Sequence, residues 1–172
     1  MPEIIKDRQI VSDNWSVLRL TEDQSAEQVI VPPGLVLVPL AVWLAQRATL
    51  ITRHDLGVWI GSAERAETIK DELHLFQLIA VDFPKFSDGR GYSIAYTLRS
   101  KLGYQGELRA IGDVLRDQLF YMQRVGFNSF APRPDRSIGD ALKGLTDFSN
   151  SYQTSVDQPL PLFRRADRGV VA

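Results

Sequence analysis

The chain has 172 residues, and its composition of 44% hydrophobic and 24% charged residues is typical of one globular domain with a sizeable core. The formal net charge is -1, which excludes a global field that would draw the protein onto nucleic acid or anionic lipid. Because the chain has no cysteine, disulfides, cysteine nucleophiles, thiolate zinc sites and cysteine-ligated iron–sulfur clusters are excluded within it.

Membrane association is not expected either. The longest apolar-rich run, residues 35–45, contains Pro39 and is too short to cross a bilayer. Residues 1–13 carry scattered charges and no apolar signal core. We therefore expect a soluble cytoplasmic protein that binds neither membranes nor nucleic acid.

The N-terminal part of the chain predicts short strands. The pairs Ile4-Ile5 and Ile10-Val11 flank a polar segment and predict a small hairpin. Partial alternation over residues 15–20 predicts an edge strand, and the polar residues 21–28 predict a loop. We expect residues 1–28 to form an N-terminal β extension.

The next segment predicts two strands and a helix. Residues 29–31 form an apolar run that stops at two prolines, and residues 35–38 have the pattern of a buried strand. The apolar positions of residues 40–47 predict a short helix. Pro39 is compatible with its start, because a first-turn backbone N–H has no intrahelical partner.

A regular alternation begins near Leu56. Short apolar runs, each followed by apolar residues at helical spacing, predict strands that alternate with helices. The predicted strands cover residues 57–60, 76–81, 108–111 and 127–131, and the predicted helices begin at Ser62, Tyr92, Asp113 and Ser137, with Gly103 and Gly126 ending the second and third. Such alternation predicts a parallel sheet with right-handed crossovers.

The expected fold class is α/β, with helices between the strands and a small N-terminal β hairpin. A complete eight-stranded barrel takes about 250 residues, so we expect an open parallel sheet or a partial (β/α) barrel. Residues 1–157 should form a single α/β domain. Residues 158–172 lack periodicity and should form an extended or disordered tail. Its apolar residues Leu160, Leu162 and Phe163 either cover the core or pack on the neighbouring subunit of a homodimer.

The loops after three predicted strands carry the candidate functional residues. The carboxyl ends of parallel strands share one edge of a sheet, so these loops should converge there. The candidate catalytic residues are Asp82, Asp113 and Lys85, and the candidate anion-binding residues are Arg90, Arg116, Arg133, Asp88, Gly89 and Gly91.

Arginines beside helix N-termini predict an anion site. The orphan N–H groups and the helix dipole favour negative charge, and arginine adds paired donors for a phosphate, sulfate or sulfite-like anion. In the alternative interpretation, Asp88 and Asp113 are helix caps, and the arginines pair with Asp82 or Asp117. Asp82 and Asp113 could also bind a divalent cation or act as acid and base, although the sequence predicts no dedicated metal site.

No familiar cofactor motif is present. Gly89-Arg90-Gly91 lacks the G-x-G-x-x-G spacing, and no P-loop lysine pattern occurs. A bound nicotinamide or flavin is therefore not predicted, and the cofactor stays unknown. His54 and His74 precede predicted strands, at the opposite end from the candidate site, and are expected to be surface residues.

Three segments between residues 79 and 130 carry a family resemblance. They read DFPKFSDGRGYS at 82–93, GELRAIGDVLRDQ at 106–118 and GF at 126–127. In these segments the chain resembles a bacterial family of unknown function that is often labelled an oxidoreductase involved in sulfite reduction. That label rests largely on gene neighbourhood with sulfite reductase. Family members often have a cysteine before the glycine–phenylalanine pair, where this chain has Val125.

The resemblance implies a role in assimilatory sulfite reduction, and a sulfur oxyanion or phosphate is the ligand expected at the carboxyl edge of the sheet. Whether the protein is an enzyme stays open, because the chain shows no sign of a cofactor site. One alternative is a non-catalytic accessory protein that docks on sulfite reductase or a related redox enzyme. Others are a divalent-cation-dependent α/β enzyme and a decayed barrel-like enzyme kept for interaction alone.

Overall fold

A computed structural model describes residues 1–148 and 154–160 of the chain. Its strands are β1 (Glu3–Lys6), β2 (Gln9–Ser12), β3 (Ser16–Val17), β4 (Val36–Pro39), β5 (Leu56–Ile60), β6 (Leu78–Phe83), β7 (Glu107–Gly112) and β8 (Ser129–Phe130). Its α-helices are α1 (Leu40–Leu50), α2 (Arg90–Tyr96), α3 (Arg116–Val125) and α4 (Ile138–Lys143). The strands form one eight-stranded sheet in the order β2-β1-β8-β7-β6-β5-β4-β3, which curls into half a barrel.

The predicted parallel sheet is confirmed. From β3 to β8, each neighbouring pair of strands is parallel, so their carboxyl ends lie along one edge. The predicted N-terminal hairpin is also confirmed, since β1 and β2 are antiparallel and β1 pairs with β8. The fold is therefore α/β, as the alternation of apolar runs and helical patterns predicted.

The two faces of the sheet are covered differently. Alternate strand residues, among them Val58, Ile79 and Val81, are buried together with helix residues in the main core. The opposite face, which we name the helix-free face, carries a smaller cluster without helix residues, made of Leu37, Leu78, Ala80 and Ile111 with Trp15, Trp59 and Ala131 packed against it. A side chain on a strand therefore meets a helix or the helix-free face according to its position in the pleat.

Residues 29–31 do not form the predicted strand. Val29 is buried, but Gln46 of α1 donates from Nε2 to the carbonyl oxygens of Ala26 (2.7 Å) and Val29 (2.9 Å). A helix side chain, rather than a neighbouring strand, therefore satisfies the backbone of this segment.

The predicted helix from Ser62 is also wrong. Ala66–Ile69 and Leu73–Leu75 are two short 3₁₀ helices. Of the apolar residues of the pattern, Ala63 is exposed, but Ala66, Ile69 and Leu73 are buried, because a spacing of three or four residues also suits successive 3₁₀ turns. Ser62 does not cap a helix, and its Oγ accepts a hydrogen bond from Arg90 Nη2 (3.2 Å).

The helix caps were predicted with mixed success. Asp113 is not the cap of α3, because the helix begins at Arg116 and the extended residue before it is Leu115. The Leu115 N–H donates to Oε1 of Gln118 at 3.1 Å. Ser137 does cap α4, since its Oγ accepts the Asp140 N–H at 3.3 Å.

The two glycines predicted to end helices are confirmed. α2 continues into a π-helix, Thr97–Lys101, and the chain then turns at Gly103 with φ of 69°. α3 ends at Gly126, whose φ is 119° and where a Cβ would collide with the side chain of Arg99. Both positions need the left-handed backbone that glycine adopts without steric cost.

The described part of the C-terminal segment contacts the end of α3. Ser155 Oγ donates to the carbonyl oxygen of Arg124 at 2.6 Å, and Asp157 Oδ1 lies 3.4 Å from Arg124 Nε. The predicted roles of Leu162 and Phe163 lie outside the described residues. Within residues 1–148 and 154–160, no helix is long and apolar enough to cross a membrane.

Candidate functional site

The loops after β6, β7 and β8 meet at the carboxyl edge of the sheet. The Asp113 N–H donates to the carbonyl oxygen of Phe83 at 2.7 Å. The Asp113 carboxylate accepts one hydrogen bond from the Phe86 N–H (2.8 Å) and one from Arg133 Nη1 (3.2 Å). Asp113 thus holds the three loops together, which is the role that the geometry gives it in place of a helix cap.

Asp82 lies at the same end of the sheet but points to the helix-free face. Its carboxylate accepts from Arg19 Nη2 (2.8 Å) and Nη1 (3.4 Å). The Arg19 guanidinium lies 5.1 Å from the centre of the Trp59 ring, at a distance typical of a cation–π contact. Gly112, with φ of 91°, leaves room for this pair, because a Cβ there would lie 2.8 Å from Asp82 Oδ1. Arg19 was not predicted as a site residue, because it lies in a segment with no motif of its own.

Arg90 is held by the loop that carries it. Its Nε and Nη2 donate to the two carboxylate oxygens of Asp88 at 3.0 and 2.7 Å, and Nη2 also reaches Ser62. Hydrogen bonds from the Arg90 guanidinium, the Ser62 hydroxyl and the Arg90 backbone N–H hold the pKa of Asp88 well below its usual range. Gly91 is buried against Phe83, since a Cβ would lie 2.6 Å from the ring. Lys85 is exposed at the start of the same loop.

Arg116 and Arg133 are also ion-paired. Arg116 donates to Asp140 (3.0 Å) and Asp147 (3.2 Å). Arg133 donates to both oxygens of Asp135 at 2.9 Å, in addition to its contact with Asp113. The arginines therefore form two groups: Arg90 contacts the loops after β5 and β6, and the other two contact residues near α3 and α4.

A cleft lies between the first turns of α3 and α4, next to the end of β8. Its volume is about 470 Å³. We name it the α3–α4 cleft. The charged side chains that line it are Arg116, Arg136, Asp117, Asp135 and Asp140. Of the predicted anion-binding residues this cleft contains Arg116, while Arg136, which sequence reasoning did not select, supplies the second guanidinium.

The described residues offer little to a metal ion. Across residues 1–148 and 154–160, no group of three or more histidine, cysteine, aspartate or glutamate side chains could hold one. Asp82 accepts hydrogen bonds from Arg19, and Asp113 accepts one from Arg133. The predicted roles of Asp82, Asp113 and Lys85 in catalysis stay predictions.

The chain matches one family of known sequences. A family model described as a bacterial protein of unknown function, DUF934, matches residues 57–163. The matched region begins in β5 and contains each of the loops that form the carboxyl edge described above. No curated protein and no solved structure matches the chain.

Proposed function

Because the chain belongs to the DUF934 family of bacterial proteins of unknown function, we propose its function from the geometry of the carboxyl edge. The protein binds a small oxyanion (sulfite, sulfate or phosphate) in the α3–α4 cleft and acts as a non-catalytic accessory protein of sulfite reduction. The ligand part of this proposal rests on the cleft. The pathway part rests on the resemblance carried by residues 82–93 and 106–118.

The observation that carries the ligand part is the pair of guanidinium groups in a cleft beside the start of a ten-residue helix. A guanidinium has five N–H donors, and the hydrogen bonds of Arg116 to Asp140 and Asp147 use one donor each on Nη1 and Nη2. Asp140 and Asp147 therefore orient Arg116 and leave further N–H donors for an anion. The positive end of the α3 dipole adds to this attraction.

The carboxylates of this edge favour an accessory role over a catalytic one. Both oxygens of Asp82 accept hydrogen bonds from Arg19, and both oxygens of Asp113 accept hydrogen bonds from N–H donors. Both carboxylates therefore serve as acceptors that hold neighbouring segments of the chain together. The sequence also lacks the fingerprint of a bound dinucleotide that could supply electrons.

The ligand is tested by titrating the protein with sulfite, sulfate and phosphate in isothermal titration calorimetry, with chloride as the reference salt. We expect saturable binding of at least one oxyanion, and a loss of about tenfold in affinity for each of Arg116→Gln and Arg136→Gln, since a hydrogen bond to a charged group contributes about 1.5–3 kcal/mol. Arg47→Gln is the matched control, because Arg47 lies on α1, does not line the cleft, and is similarly exposed and ion-paired to Glu72. Equal affinities in all variants would contradict the proposed site.

The accessory role is tested separately. We expect the purified protein to co-sediment with sulfite reductase of the same bacterium in analytical ultracentrifugation. We also expect it to leave sulfite unconsumed when incubated with nicotinamide cofactors and flavins. Cofactor-dependent consumption of sulfite by the isolated protein would show an enzyme instead.

A further inference from the structure

A second cavity lies at the opposite edge of the sheet from the α3–α4 cleft. Residues 70–76, which precede β6, form one wall, and residues 102–106, which precede β7, form the other. Its volume is about 460 Å³. We name it the amino-edge cavity. Cavities of about 300–1,000 Å³ are typical of small-molecule sites.

The floor of the amino-edge cavity is apolar and fixed. Leu73, Phe76 and Tyr104 line it and are buried. The Tyr104 hydroxyl donates to the carbonyl oxygen of Phe76 at 3.0 Å, which sets the position of its ring. Gly106 has no side chain at a point where a Cβ would collide with the Tyr104 hydroxyl. The floor is therefore a preformed surface on which a planar apolar group can lie.

The rim of the same cavity carries a lysine and a histidine. Lys70 and His74 line it and are exposed, and Gln105 adds an amide. The residues that line this cavity include no aspartate or glutamate, in contrast to the α3–α4 cleft with its three aspartates. Here a bound anion would not have to compete with a carboxylate within the lining.

We infer that the amino-edge cavity binds a small aromatic anion, a sulfonate or phosphate ester whose ring lies on Phe76 and Tyr104 and whose charged group contacts Lys70 and His74. The apolar floor contacts the ring, and Lys70 and His74 orient the charged group, as apolar linings and a few polar groups do in small-molecule sites. This site is independent of the oxyanion proposed for the α3–α4 cleft, because the two cavities share no residue.

The probe for this site is 1-naphthalenesulfonate. Its binding to the full chain is measured from chemical-shift changes in two-dimensional amide NMR spectra. We expect saturable shifts centred on Gly103–Gly106. Neutral 1-naphthylmethanol lacks the charge and inorganic sulfate lacks the ring, so each should bind this cavity at least about tenfold more weakly, as expected when one contact to a charged group or the apolar burial is removed. Comparable affinity for the neutral alcohol would overturn the proposal.

The test variant combines Lys70→Gln and His74→Gln. The control variant is Lys143→Gln, which changes an exposed lysine on α4. The exposed side chains can be changed without disturbing the floor, which unchanged melting temperatures will verify. The double variant should bind the probe about tenfold or more weakly, and the control should bind it as the unmodified protein does. Unchanged affinity in the double variant, shifts centred outside residues 102–106, or no saturable binding would each overturn the inference.

Discussion

Arg109 shows how a charged residue can serve as part of a core. It lies on β7 facing the helix-free side, and its side chain is 3% exposed. It donates to Asp13 (3.0 Å), Glu107 (2.8 Å) and Ser129 (3.2 Å). Burial alone would raise the pKa of Glu107, but the hydrogen bond from Lys6 and the charge of Arg109 lower it overall. The cluster therefore joins the chain after the N-terminal hairpin to β7 and β8.

Removing this guanidinium should be costly. Arg109→Ala leaves the partly buried carboxylates of Asp13 and Glu107 without their shared partner, and breaking a buried ion pair typically costs about 3–5 kcal/mol. We expect that loss in the free energy of unfolding measured by urea denaturation. Arg47→Ala, which breaks the partly exposed 2.8 Å pair with Glu72, should cost less than about 1 kcal/mol. Similar losses in the two variants would show that the Arg109 cluster contributes no more than a surface pair.

At the scale of single residues, the sequence did not predict which charged side chains pair with each other. The loops after the strands were correctly expected to carry arginines and aspartates at the carboxyl edge. Their partners were not predictable, because Arg19 and Asp82 are 63 positions apart and no local pattern links them. Arg90 and Asp88 are only two positions apart, yet this pair was not predicted either, because the alternative interpretation paired the arginines with Asp82 or Asp117.

At the scale of elements, buried strands were easier to predict than helices. Strands covered on both faces produce continuous apolar runs, and β4 to β7 lie close to their predicted positions. The shift of β6 by two residues has a physical cause. Phe76 is buried but precedes the strand, whereas Asp82 lies within it because Arg19 balances its charge. The 3₁₀ helices after β5 show that apolar residues spaced three or four apart do not by themselves distinguish an α-helix from successive 3₁₀ turns.

The joint between α3 and β8 depends on one glycine. Gly126 has φ of 119°, and Arg99 Nε donates to its carbonyl oxygen at 2.8 Å. Gly126→Ala would strain the left-handed backbone and push the Arg99 side chain away, so we expect the free energy of unfolding to fall by about 1–3 kcal/mol. Thermal unfolding followed by circular dichroism measures this change.

Gly139→Ala is the control for that prediction. Gly139 lies in α4 with negative φ, and a Cβ there would meet only Ser137 Oγ at 3.9 Å. Alanine is favoured over glycine within a helix by about 0.5–1 kcal/mol, so this variant should be slightly more stable. The prediction for Gly126 would be wrong if both variants shifted the melting temperature in the same direction.

At the scale of the whole molecule, the alternation of strands and helices was enough to predict a parallel sheet with a common carboxyl edge. The curvature of the sheet was not predictable, and an open sheet and a partial barrel were equally compatible with the sequence. The place of the hairpin was not predictable either, because β1 pairs with β8, which lies more than 100 residues away. Such a contact leaves no periodic signal in the chain.

The hairpin completes the core of the half-barrel through one residue. Ile5 of β1 is opposite both Phe130 of β8 and Ile10 of β2, and it is 0% exposed, whereas Ile10 is 37% exposed. Ile5→Ala should lower the free energy of unfolding by about 2–5 kcal/mol, because it removes buried apolar volume and leaves a cavity beside β8. Ile10→Ala changes the same residue type in the same cross-strand pair, and it should cost no more than about 1 kcal/mol. Urea denaturation of both variants measures the difference. If Ile5→Ala and Ile10→Ala lowered the free energy of unfolding equally, the hairpin would contribute no buried side chain to the core.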